Sequence, residues 1–122
     1  MSDEQEIKKG SVGISQKSHD LLTSLVFDGY LANEDRPFTS IVEAFRFAFA
    51  LGYNKKQKIE SSGKKEGIAP RQFVVDNYLN LLLDELIQTN KSLGGLISEY
   101  AEGGCDIMQK HLSDSKSISE LI

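Results

Sequence analysis

The chain holds one cysteine, Cys105, and two histidines, His19 and His111, so nucleophilic or metal chemistry would have to start from three side chains. Cys105 and His111 lie six residues apart. On one helix that spacing turns them about 240° from each other, too far round to share a proton. Cys105 follows Gly103-Gly104 and precedes Asp106, and a neighbouring carboxylate disfavours the thiolate. Its expected role is that of a small buried or half-buried residue. A structural zinc site needs four Cys or His ligands at fixed spacing, which these three scattered residues do not supply. His19 is expected in solvent at the start of a helix. Asp76, Asn80 and Asp84 repeat at four-residue intervals and read as a solvated stripe rather than a cation site. Glu99, Glu102 and Asp106 fall on one helix face, where acid–base work would need a pocket that separates their pKa values; a solvated edge is the expectation. Gly94-Gly95 and Gly103-Gly104 lack the strand–turn–helix setting and the lysine of a phosphate loop, and read as helix boundaries. No catalytic residue, cofactor, metal or small-molecule substrate is expected, and the chain reads as no enzyme.

Nucleic-acid contact is the other chemistry the residues suggest. Between positions 55 and 71, Lys55, Lys56, Lys58, Lys64, Lys65 and Arg71 face only Glu60 and Glu66. That is +4 in a chain of net charge −4, so the rest carries −8. With Lys8 and Lys9, these cations are the candidate phosphate contacts. The segment 8–15 (KKGSVGIS) alternates Val12 and Ile14 with small polar residues, as a short strand would. A strand followed by two helices resembles the start of a ribbon-helix-helix protein, whose paired strands enter the major groove. Ser11, Gly13 and Ser15 would face the bases, but they are not the Arg, Asn or Gln that carry base readout. The stretch between the helices, 29–39, is also longer than that motif's turn.

Four helices must position these residues. Ser15 is a good N-cap for a first helix over 16–28, with Leu21, Leu22, Leu25 and Val26 inward and Gly29 at its end. Ser40-x-x-Glu43 has the spacing of a capping box and opens a second helix that stops at Gly52. Its residues are apolar nearly all round, with only Glu43 and Arg46 interrupting and spaced to pair. Such a helix is buried on several sides, so Phe45, Phe47, Phe49 and Tyr53 are candidates for a partner interface. A basic connector spans 54–69. Pro70 suits the first turn of a third helix reaching Thr89, with Phe73, Val74, Tyr78, Leu81, Leu82, Leu86 and Ile87 inward. A fourth helix is expected over 93–111, kinked or interrupted at Gly103-Gly104.

The 122 residues suit one domain, and 39% apolar with 26% charged residues is ordinary for a globular chain. The fold class is mainly α, about four helices with a short N-terminal strand. The domain is placed at 11–112, with flexible tails at 1–10 and 113–122. A single cysteine excludes an internal disulfide. No apolar run has the length of a membrane span or signal peptide, so a cytoplasmic setting is expected.

Two segments resemble a known family. FRFAFALGY at 45–53 and EYAEGG at 99–104 are similar to signature stretches of the Dnd system-associated protein 4 family, small proteins of bacterial DNA-phosphorothioation loci. The order of features agrees from about residue 12 to 112, whereas Cys105-Asp106 and the serine-rich end depart from the family pattern. The resemblance implies an accessory or adaptor role in a restriction-type antiviral defence system. It would act through protein partners or as a homodimer, with a dimeric ribbon-helix-helix DNA-binding regulator as the alternative.

Overall fold

Three of the four helices begin where a serine hydroxyl can take up a free backbone amide. The computed structural model describes residues 12–27, 36–60 and 75–122. Within them lie α1 (Gln16–Ser24), α2 (Ile41–Asn54), α3 (Leu79–Thr89) and α4 (Leu93–Ser113). Ser15 Oγ accepts from Ser18 N, Ser40 Oγ from Glu43 N and Ser92 Oγ from Gly95 N, each relieving an amide that the helix cannot satisfy. The capping box at α2 is shifted by one residue. Glu43 turns back to the Thr39 amide at 2.6 Å and hydroxyl at 2.9 Å rather than to Arg46. Asn90, at φ 57°, ends α3 in the left-handed region, and only two residues separate it from α4.

The centre of the fold is the crossing of α2 over α4. A Cβ built on Gly104 would lie 1.8 Å from the Ala48 carbonyl oxygen, and one on Gly52 would lie 1.9 Å from that of Tyr100. The two backbones touch, and only glycine permits it. Gly103-Gly104 therefore does not interrupt the helix, as the sequence suggested. α4 runs unbroken for 21 residues, with Gly104 given to the approach of α2 and Gly103 to that of the Gln57 carbonyl. Ala44, Phe45, Ala48, Leu96, Ile97, Ala101 and Met108 are fully enclosed around the crossing. α1 leans on both central helices and α3 on α4.

Other expectations are corrected by the same packing. The described part of the N-terminal segment, 12–15, is extended but forms no strand. Val12, Gly13 and Ile14 are all buried, and the Gly13 amide donates to Ser98 Oγ at 2.9 Å. Side chains of α4 take the hydrogen bonds that a paired strand would need. Among the described residues the sole β contact is the isolated bridge of Val26 to Phe38. That bridge draws the chain away at Leu25, so α1 is shorter than expected; Gly29 lies outside the described residues. Leu81 and Ile87, expected inward, are 49% and 58% exposed, because α3 buries only the narrow face of Leu82 and Leu86. The expected start of that helix at Pro70, with Phe73 and Val74, also lies outside the described residues. Instead of a loose tail from 113, Ser115 turns at φ 63°. A 3-10 turn at Ile118–Leu121 then seats Ile118 in the core at 1% exposure. The tail at 1–10 is outside the described residues.

Gly104→Ala forces the two helices apart and is expected to cost about 3 kcal/mol or more in urea denaturation. That outweighs the roughly 1 kcal/mol of helix propensity that alanine gains over glycine.

Candidate functional site

α1 meets α4 through one carboxylate. Glu102 Oε2 accepts from the Ser15 amide at 2.5 Å. Its Oε1 accepts from the Ser15 hydroxyl at 3.2 Å and from the Ser18 hydroxyl. A glutamate on the neighbouring helix thus supplements the N-cap, with charge of the sign a helix N-terminus favours. Beside this network a cleft of roughly 250 Å³ opens between α1, α4 and residues 59–60. Ser15, Ser18, Ile59, Glu102, Cys105 and Asp106 contribute to its lining. Burial pushes the Cys105 thiol up to about 12, with the Glu102 charge adding to the rise and the Ser18 hydroxyl opposing it. The thiol is protonated at neutral pH. Asp106 accepts from Gln57 Nε2 at 2.8 Å and pairs with Lys110 at 3.0 Å. The cleft accordingly brings together a thiol, hydroxyls and carboxylates whose mutual bonds leave no base aimed at Cys105.

On the other side of α4, Glu85 of α3 accepts from Lys58 Nζ and from the Tyr100 hydroxyl. Burial alone would raise the Glu85 carboxyl, but those two hydrogen bonds and the Lys58 and Lys91 charges outweigh it and leave it below its ordinary value of 4.5. Burial, followed by the bond to Glu85, drives the Tyr100 phenol upward. The Lys58 ammonium stands 5.7 Å over the Tyr100 ring, within cation–π range. Lys91 reaches both oxygens of Glu99 at 2.7 and 2.8 Å, and that bonding raises its pKa. Tyr100 also meets Phe49 and Tyr53 edge to face at centroid distances of 6.0 and 5.4 Å.

The residues singled out by the sequence fall in different places. Among the candidate phosphate contacts, Lys55 and Lys56 are exposed just beyond α2, whereas Lys58 is held by Glu85. Lys8, Lys9, Lys64, Lys65 and Arg71 lie outside the described residues. Of the candidate interface, Phe45 and Phe49 are interior at 0% and 3% exposure, so they present no surface to a partner. Phe47 is half-buried against Phe38, with centroids 5.3 Å apart, and Tyr53 stacks on Phe49 at 5.9 Å. Glu99, Glu102 and Asp106 do not act as one face, because each is drawn to a different neighbour. His111 sits 3.3 Å from Glu120, within ion-pair range but without the alignment of a hydrogen bond. His19, expected in solvent, is half-buried, with its Nδ1 covered and unbonded. Among the described residues no cluster of three or more His, Cys, Asp or Glu is placed to hold a metal, and no helix is long and apolar enough to cross a membrane. The Ser15–Ser18–Glu102 and Lys58–Glu85–Tyr100 networks carried no signal in the sequence beyond the capping serine.

No protein-family model matches the chain, and no curated protein or solved structure is significantly similar to it.

Glu102→Gln places an amide donor against donors, and a loss of about 1–3 kcal/mol is expected in chemical denaturation. Glu85 supplies the pH signature. A carboxyl held below its unfolded value stabilises above that value, and the contribution is lost as pH falls through the lower folded one. The stability gap between wild type and Glu85→Gln should therefore be level above about pH 5.5, where the unfolded carboxyl of ordinary pKa is already ionised. It should narrow on acidification, as followed by urea melts across pH.

Proposed function

We propose that the chain is a non-enzymatic accessory or adaptor protein of a phosphorothioation-linked bacterial defence system, working in the cytoplasm through protein contacts. The observation that carries this reading is the resemblance of segments 45–53 and 99–104 to the Dnd system-associated protein 4 family. The packing gives that resemblance a physical sense. The two segments are the two halves of one helix crossing, with Gly52 against Tyr100 and Gly104 against Ala48, so a chain carrying one needs the other. Apolar residues left in solvent, Leu81 and Ile87 on α3, supply surface for a partner in place of the interior Phe45 and Phe49.

The regulator reading is weaker. It needs 11–15 as a paired strand entering a groove, and residues 12–15 are occupied by Ser98 and Glu102. Of the candidate phosphate contacts among the described residues, Lys58 is engaged by Glu85.

The test is genetic and biochemical together. Deleting the gene in its host should weaken restriction of unmodified DNA or lower phosphorothioate content, with rescue by wild type and poorer rescue by a Leu81→Glu, Ile87→Glu double variant that folds normally. Unchanged restriction and modification in the deletion strain would sink the proposal. A salt-sensitive shift of a short duplex by the purified protein would revive the regulator.

A further inference from the structure

Residues 57–60 leave α2 after Lys56, which turns at φ 55°, and lie across the outer face of α4. Four contacts seat them. The Gln57 amide donates to the Gly52 carbonyl at 2.8 Å. The Gln57 side chain reaches Asp106, Lys58 reaches Glu85, and the Ile59 amide donates to the Glu99 carbonyl at 3.1 Å. Gly103 makes room for this approach, since a Cβ there would lie 1.9 Å from the Gln57 carbonyl oxygen. Every one of these contacts is polar. Lys58, Ile59 and Glu60 lie at the surface, and Ile59, 39% exposed, is the one apolar side chain among residues 57–60 that must be uncovered if the segment lifts. Backbone held by solvent-accessible hydrogen bonds with few apolar contacts opens at far lower free energy than a packed core. The α2–α4 crossing beneath it belongs to that core.

Ile59 and Glu60 are also one wall of the cleft that holds Cys105, a side chain only 3% exposed while that wall is in place. We propose that residues 57–60 form a strap that lifts from α4 as a unit, with the helical core intact, and thereby controls access to the cleft at Cys105. Lys58 is its latch. When seated on Glu85 and over the Tyr100 ring it joins the strap to α3 and α4 together; when released it frees both Glu85 and the cleft wall. A partner that offers its own cation to Glu85, or an anion to Lys58, would release the latch and open the cleft on the far side of α4.

The single thiol reports directly on the strap. In the full chain, at one fixed pH, labelling of Cys105 by a small maleimide should show a rate nearly flat in low urea. Global unfolding would instead make it climb steeply with denaturant. Gly103→Ala, which pushes on the Gln57 carbonyl and leaves Gly104 and the crossing untouched, should label at least about tenfold faster while its urea midpoint stays close to wild type. Lys58→Met keeps the side-chain stem and loses the ion pair, for an expected acceleration of roughly threefold to fivefold. Added salt should speed wild type and leave Lys58→Met unchanged. If Gly103→Ala fails to fold, the Lys58→Met and salt measurements decide alone. Equal rates in wild type and Lys58→Met, or rates that follow global stability in every variant, would overturn the strap.

Discussion

The contact between the α2 and α4 backbones is the constraint to which the rest of the fold is fitted. Interhelical distances are ordinarily 8–10 Å because side chains keep the axes apart. Here Gly52, Gly104 and Ala48 remove that spacer, and carbonyl oxygens lie where side chains would otherwise stand. The close approach lets larger residues on either side, Phe45, Phe49, Leu96, Ile97 and Met108, wrap the crossing and enclose one another. Glycine in a helix interior costs roughly 1 kcal/mol each in propensity, a penalty the interhelical packing must exceed. α4 carries buried residues on both sides of its glycines, which is why it continues unbroken through a pair that would weaken an isolated helix.

Polar groups fix what the crossing leaves free. A helix pair alone does not specify where the N-terminal segment or α1 should lie. Ser98 and Glu102 do so, by offering acceptors to amides that would otherwise be buried without partners, and an unmet buried amide costs more than a met one gains. The same helix uses Glu99 to reach Lys91 and the strap, and Tyr100 to reach Glu85. α4 thus distributes its polar residues around its circumference, one to each neighbour. That explains why three acidic residues spaced to share a face serve three separate contacts.

The legibility of the sequence follows this division. Helix existence was readable from apolar periodicity and from the capping serines Ser15 and Ser40, because these are local signals. Four helices, the second buried on several sides, were accordingly expected and are present among the described residues. What failed was everything decided at long range. A Val-x-Ile alternation predicts a strand, but Ser98, 85 positions away from Gly13, takes the hydrogen bond. Adjacent glycines predict a break, but Gly104 serves the helix crossing and Gly103 the approach of Gln57. Ile118 in a serine-rich terminus predicts a tail, yet a gap beside α4 accepts it. Of the candidate site, Lys58 was legible as a basic residue and its latch role was not, since Glu85 and Tyr100 meet it only in the fold.

The nearly all-apolar α2 suggested a surface completed by another molecule, and the fold answers differently. Its Phe45 and Phe49 are covered by the chain itself, because small residues let α4 reach the helix surface and Leu22, Phe38 and Ile14 add to the same core. Within the two segments the crossing accounts for Gly52, Ala48 and Gly104, whereas Glu99, Tyr100, Glu102 and Gly103 meet neighbours outside it. Apart from the crossing stand the exposed side of α3, the strap with its latch and, on the opposite side of α4, the cleft of which the strap forms one wall.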